Sequence, residues 1–342
     1  MKLPAPSWLL FVALGLGPAC TNQNRISGSD SGGSGGSSGA AGGSGGGAGK
    51  GGATGGAQPG FGGFGGFAPG SDGGPPAETC SDAAKLVYVV SDENHLYTFA
   101  PNKLPDVAAA FTDLGLLGCS DPGDTVNSMA VDRHGTAYVN YASGKIFTVD
   151  TRTLACTDTN FVPGQAEFSP NVSLGFSADA PGSSAETLFV SDNTGDDTQD
   201  PDGKGLARLD LTRQPPQLIP LGPFTGDVRG GRCELTGTGD GKLYGFFTTR
   251  PAHLAAIDKA SAATPAATAL PEVDASTGGY AFSFWGGSFW FYTASDTATT
   301  KVTRYDPTVV PPATTVAAPM LPFTIVGAGV STCAPLTFPP IQ

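Results

Sequence analysis

The sequence predicts an all-β fold: a five-bladed β-propeller whose C-terminal strand completes the first blade, preceded by a disordered glycine-rich tether. Three observations carry this reading. Past residue 80 helical periodicity is nearly absent, and short apolar runs alternate with Gly, Asp, Pro and Ser turns. One such run recurs five times, its first apolar residue at Leu96, Ile146, Leu206, Leu254 and Val302, so that the copies lie 50, 60, 48 and 48 residues apart. Periods of about 40 to 50 residues with β content mark propeller blades. Finally, the first blade lacks one strand and the C-terminus carries one to spare.

Taken from the N-terminus, "MKLPAPSWLLFVALGLGPAC" has one basic residue, Lys2, and an apolar run from Trp8 to Leu16 that is too short to span a bilayer. Small residues then lead into Cys20. That is an export signal, assigned to residues 1–19. It resembles a bacterial lipoprotein signal, and the resemblance implies that Cys20 is acylated and becomes the first mature residue. Leu16 stands four places before Cys20, whereas usual lipoboxes carry Leu three places before; Gly17 and Ala19 also suit ordinary signal peptidase. The tether, within residues 20–79, is richest in glycine from 27 to 78 and includes "GFGGFGGF". Ordering glycine costs much backbone entropy and gains little burial, so no core is expected there. As a coil it reaches roughly 40 Å root-mean-square.

Residues 80–342 form the propeller domain. The recurring run is "HLYTFAP", "KIFTVDT", "GLARLDL", "HLAAIDK" and "KVTRYDP", read as the third strand of each blade. Second strands precede it: "LVYVVSD", "TAYVNYA", "TLFVSDN", "KLYGFFT" and "SFWFYTA". Inner strands precede four of those: "VNSMAVD", "NVSLGFS", "RCELTGT" and "YAFSFWG". The first blade has none, and "GVSTCAPL" at 329–336 is expected to supply it, closing the ring without an open edge.

The most apolar stretch of the mature chain, "SFWGGSFWFYTA" at 283–294, is then the inner hairpin of the fifth blade, turned at Gly286-Gly287. A blade is sandwiched between two others, so both faces are buried and strict apolar–polar alternation is unnecessary. "MAVDRHGTAYV" at 129–139 and "LTGTGDGKLYGF" at 235–246 resemble blades of the NHL, SMP-30 and YVTN-like propellers, in which Asp-x-x-Gly turns the first two strands. These motifs are short and shared by many functions, so they imply a fold rather than an activity.

A net charge of −12 argues against nucleic acid, whose phosphates need cationic partners. Asp150, Asp210, Asp258 and Asp306 recur just after the third strand, where aspartate commonly bonds its own backbone in a turn. The loop "SDNTGDDTQDPDGKG" offers Asp192, Asp196, Asp197, Asp200 and Asp202 as candidate calcium ligands. Its spacing matches no standard calcium loop, and a solvated acidic loop is the competing reading. Inner strands line a propeller's channel, which makes Asn127, Arg232 and Glu234 the candidate ligand-binding residues, with Ser128, Ser173, Ser331 and Thr332 beside them. A glycosidase needs two carboxylates, and this channel supplies only Glu234. His95, His134 and His253 are dispersed, so neither a zinc cluster nor a Ser-His-Asp relay is evident.

Beyond Cys20 five cysteines remain, so an exported chain leaves at least one unpaired. Closure ranks Cys80 with Cys333 first, because Cys333 falls in the strand expected to lie beside the start of the first blade. The alternative is that Cys333 is a small buried apolar residue. The expectation is therefore a monomeric, exported, lipid-anchored propeller at the outer membrane or cell surface, otherwise periplasmic or secreted. It acts as a non-catalytic module for a protein or carbohydrate ligand, with calcium the one candidate cofactor and the lipid its only membrane contact. The alternative is a metal-dependent hydrolase or lactonase of the SMP-30-like type, in which Glu234 and Asn127 belong to the ligand set.

Overall fold

The computed structural model describes residues 80–193, 203–274, 278–295 and 298–340. They form five antiparallel four-stranded sheets arranged as a five-bladed β-propeller. The first blade holds β1 (Val87–Ser91), β2 (His95–Phe99) and β3 (Phe111–Leu116). The second holds β4 (Val126–Val131), β5 (Thr136–Tyr141), β6 (Ile146–Asp150) and β7 (Cys156–Asp158). The third holds β8 (Val172–Ala178), β9 (Glu186–Asp192), β10 (Leu206–Asp210) and β11 (Gln217–Gly222). The fourth holds β12 (Cys233–Gly237), β13 (Leu243–Phe247), β14 (Ala252–Ile257) and β15 (Ala267–Leu270). The fifth holds β16 (Gly279–Trp285), β17 (Ser288–Ala294), β18 (Lys301–Asp306) and β19 (Ala313–Ala318). The last strand, β20 (Ile325–Val330), pairs with β1 and completes the first blade, so that β20, β4, β8, β12 and β16 neighbour one another around the axis.

The closing strand starts four residues earlier than the sequence places it and ends six earlier, and Cys333 falls in the turn after it rather than within it. Packing sets this register. A Cβ on Gly327 would stand 2.9 Å from Val90 Cγ1, and one on Gly329 2.9 Å from Val131 Cγ2, so this tight passage between β1 and β4 suits glycine. The chain then turns at Ser331, whose hydroxyl donates to the Ala84 carbonyl and accepts from the Cys333 amide. That turn carries Cys333 to Cys80, and the two are disulfide-bonded across 253 residues of sequence. Cys119 and Cys156 form a second bridge, and Cys233 is a buried free thiol.

Among the described residues the apolar core is divided rather than central. Five apolar clusters lie between successive blades, each drawing side chains from both sheets that flank it. The fifth blade shows how. Ala281, Trp285, Trp290 and Tyr292 face the first blade, while Phe282, Phe284, Phe289 and Phe291 face the fourth. Because neighbouring residues of a strand point to opposite sides, a strand with both faces covered carries apolar residues at adjacent positions rather than alternate ones. Gly286 (φ +64°) and Gly287 (φ +76°) turn the hairpin so that Trp285 pairs with Ser288. Positive φ at both central residues is the primed turn that matches strand twist.

Candidate functional site

Glu234 sits on β12 and reaches across the axis. Its Oε2 accepts from the Ser128 hydroxyl on β4 at 2.8 Å, and its Oε1 from the Ser173 hydroxyl on β8 at 2.7 Å. The group is 1% exposed. Burial pushes its carboxyl up to about 8, because the two hydroxyl bonds offset only part of the lost hydration. Ser173 also accepts from Asn193 Nδ2, and Ser128 from the Leu174 amide. The result is a polar plug joining the inner strands of three blades, with no second carboxylate in its hydrogen bonds.

The other two channel candidates each bond within their own blade and also reach a neighbouring one. Asn127 donates through Nδ2 to Asn140 Oδ1 and to the Val172 carbonyl, both at 3.0 Å, tying the second blade to the third. Arg232 donates through Nε to Thr248 and lies 5.4 Å from the ring centroid of Tyr280 on β16, bridging the fourth blade to the fifth. Placing a residue on an inner strand is thus within reach of sequence reading; which neighbour its side chain meets is not.

A second joint lies where the inner hairpins turn, and its key residue was not foreseen. Glu186 opens β9, accepting from the Arg133 amide at Oε1 and the Thr332 hydroxyl at Oε2. Desolvation raises its carboxyl above the usual range. Its only signal in the sequence is an acid at the head of an apolar run. Ser331 and Thr332, expected on the closing strand, instead lie in the turn beyond it.

Of the five aspartates of the acidic loop, only Asp192 lies within the described residues. It is buried, and its carboxylate accepts from the Ser169 amide at Oδ1 and the Lys204 amide at Oδ2. Asp196, Asp197, Asp200 and Asp202 lie outside the described residues, as does Cys20. Among the described residues no group of three or more His, Cys, Asp and Glu side chains is placed to hold a metal ion. Asp150, Asp210, Asp258 and Asp306 cap their own turns, accepting from amides two residues on. Backbone amides hold Asp150 below the usual carboxylate range, and bonds from Thr212 and Ser261 do so for Asp210 and Asp258.

Open clefts lie away from the axis. One of about 360 Å³ is lined by Thr249, Arg250, Pro251, Pro271 and Asp274 of the fourth blade. Another of about 390 Å³ is lined by Ser81, Asp82, His134, Asp150 and Arg152. A third, of about 350 Å³, is lined by Leu104, Pro105, Trp290, Arg304 and Phe338 between the fifth and first blades.

No family model matches the chain, and no curated protein matches it. Solved structures do. TolB from Acinetobacter baumannii is 13% identical at a TM-score of 0.39, over 70% of this chain and 54% of its own, so this chain spans about half of TolB. Apo AztD from Citrobacter koseri is 12% identical at a TM-score of 0.35, over 73% and 88%. A protein of unknown function from Bacteroides caccae is 8% identical at 0.39, over 71% and 97%. Likenesses at this level assign neither family nor activity; the propeller stands on the chain's own five sheets.

Proposed function

We propose that this chain is an exported, lipid-anchored β-propeller acting as a non-catalytic binding module at the cell envelope. Cys20 anchors it, the glycine-rich segment spaces it, and the loop faces meet a protein or carbohydrate ligand. The observation that supports this most is the state of Glu234. The one inner-strand acid has both oxygens engaged by Ser128 and Ser173, so it serves as a joint between blades. A metal-dependent hydrolase needs its carboxylates ionised and open to metal and substrate; burial raises this one toward its neutral form.

The test compares the chain with its Glu234→Gln variant by elemental analysis, calcium and manganese titration, and turnover of a lactone and ester panel. The expected outcome is no axial metal and no turnover that depends on Glu234. A stoichiometric metal that vanishes in Glu234→Gln, together with hydrolysis that vanishes with it, would replace this reading by the hydrolase. Calcium bound equally by both variants points to the acidic loop instead and leaves the binding module standing. Anchoring has its own test: Cys20→Ser should release the chain from membranes or leave it unprocessed. A variant that is trimmed normally and still fractionates with membrane removes the lipid from the reading.

A further inference from the structure

The third cleft, between the fifth and first blades, gathers polar groups that the fold leaves unspent. Trp290 on β17, Arg304 on β18 and Thr315 on β19 pair across the fifth blade in one row. Residues paired in this way share a face, and the Trp290 side packs toward the first blade. The row runs from core to rim: the indole is 2% exposed, and Thr315 is open to solvent. Arg304 is fixed midway. It donates through Nε to Ser288 and through Nη2 to Asp306, and its guanidinium carbon stands 5.8 Å from the Trp290 ring centroid and 5.2 Å from that of Phe338. The turn after β2 forms the opposite wall with Asn102, Leu104 and Pro105. Phe338 of the C-terminal tail completes the lining and is 38% exposed.

Among the described residues the Asn102 amide, the Thr315 hydroxyl and Arg304 Nη1 have no hydrogen-bond partner. They line about 350 Å³ of space, at the low end of the usual range for ligand pockets, about 300–1,000 Å³. We infer that this cleft binds a neutral saccharide of one or two rings, an inference that rests on the binding-module reading and names its ligand. The chemistry selects the class. An amide and a hydroxyl both donate and accept, as sugar hydroxyls do, whereas a purely apolar ligand would bury them unpaired. Arg304 offers a directed N–H without a free charge, because Asp306 lies 2.8 Å from its Nη2. In a chain of net charge −12 such a site favours no anion. Leu104, Pro105 and the Phe338 ring supply the apolar surface that the C–H face of a sugar covers. The other two clefts lack this combination, since neither is lined by Phe, Tyr or Trp. No local pattern announces the site, because its residues come from three strands of one blade, a turn of another and the tail.

The test is an NMR titration of the full chain, with Cys20→Ser so that acyl chains do not drive association. The sequence holds three tryptophans, so the indole N–H signals can be followed one by one. The probes are glucose, N-acetylglucosamine, cellobiose and chitobiose, with glucuronate as the anionic comparison. At least one neutral probe should shift the Trp290 signal saturably. Asn102→Ala and Thr315→Val should each raise its dissociation constant at least about threefold, the worth of one neutral hydrogen bond. Neither should change the melting temperature, since neither side chain bonds to the fold. Asp82→Asn, in the second cleft, should leave binding unchanged. A Trp290 signal that ignores every probe, or binding that ignores both substitutions, overturns the proposal. Binding confined to glucuronate overturns the neutral class. These failures leave the binding module with a protein ligand, whereas metal-dependent hydrolysis lost in Glu234→Gln removes that reading itself.

Discussion

Glu234 is the residue whose chemistry departs furthest from what its place in the sequence implies. An acid alone on an inner strand reads as a ligand contact, yet it is shut in by Ser128 and Ser173. Its carboxyl rises from 4.5 to about 8, and this sets the sign of a pH effect. Below the lower value both folded and unfolded chains hold the proton. Between the two, the unfolded chain releases it and the folded chain keeps it, so stability falls as pH rises, by about 1.4 kcal/mol per unit. Above pH 8 the loss levels off. Glu234→Gln keeps the shape and removes the proton, so its melting temperature should exceed that of wild type at pH 8 and converge with it near pH 4.5. Thermal melts across that range decide, and parallel profiles for the two proteins would remove the buried acid as the cause. Asp150, Asp210 and Asp258 act in the opposite sense, because lowered carboxyls stabilise above the usual range and lose that contribution on acidification.

At the scale of the element, the β16–β17 hairpin shows how much a tight turn decides. Its glycines have left-handed backbone, and the C-terminal tail lies over them. A Cβ on Gly286 would meet Phe338 Cδ2 at 3.1 Å, while the Gly286 amide donates to the Pro335 carbonyl. Gly286→Ala should therefore destabilise by about 1–2 kcal/mol from backbone conformation alone, plus whatever Phe338 must yield. Chemical denaturation measures it, with Phe338→Ala as background to separate the two causes. If the cost vanishes in that background, the strain was steric and the φ argument fails. The turn was legible because adjacent glycines between aromatic runs have few other uses. The tail across it was not, because "APLTFPP" has no periodicity to announce a partner.

At the scale of the molecule, the ring is closed twice, by β20 pairing with β1 and by Cys80–Cys333 just beyond that pairing. A cross-link constrains the unfolded chain more when the loop is longer. In the chain-entropy model a separation of 253 residues is worth about 5 kcal/mol and one of 37 about 4 kcal/mol, before native strain. Replacing Cys80 and Cys333 together by serine should thus cost more stability than replacing Cys119 and Cys156. Hydrogen exchange adds a spatial signature, since loss of the first bridge should raise exchange at β20 and β1 ahead of the other blades. Uniform exchange across all five blades would mean that strand pairing and packing alone keep the ring shut.

The sequence by itself determined the five blades, their strand order and the C-terminal completion of the first. These rest on spacing and alternation, which are properties of neighbouring residues along the chain. It also ranked Cys80 with Cys333, because a closed ring brings its two ends together. Only the tertiary structure decided the register of β20, the Cys119–Cys156 bridge, the Glu186 joint and the partners of Asn127, Arg232 and Glu234. The physical reason is the same for each. Inner strands from different blades meet at the axis although the groups that bond there, such as Asn127 with Val172 and Ser128 with Glu234, are 45 and 106 residues apart in sequence, and no local pattern records which side chains face one another there.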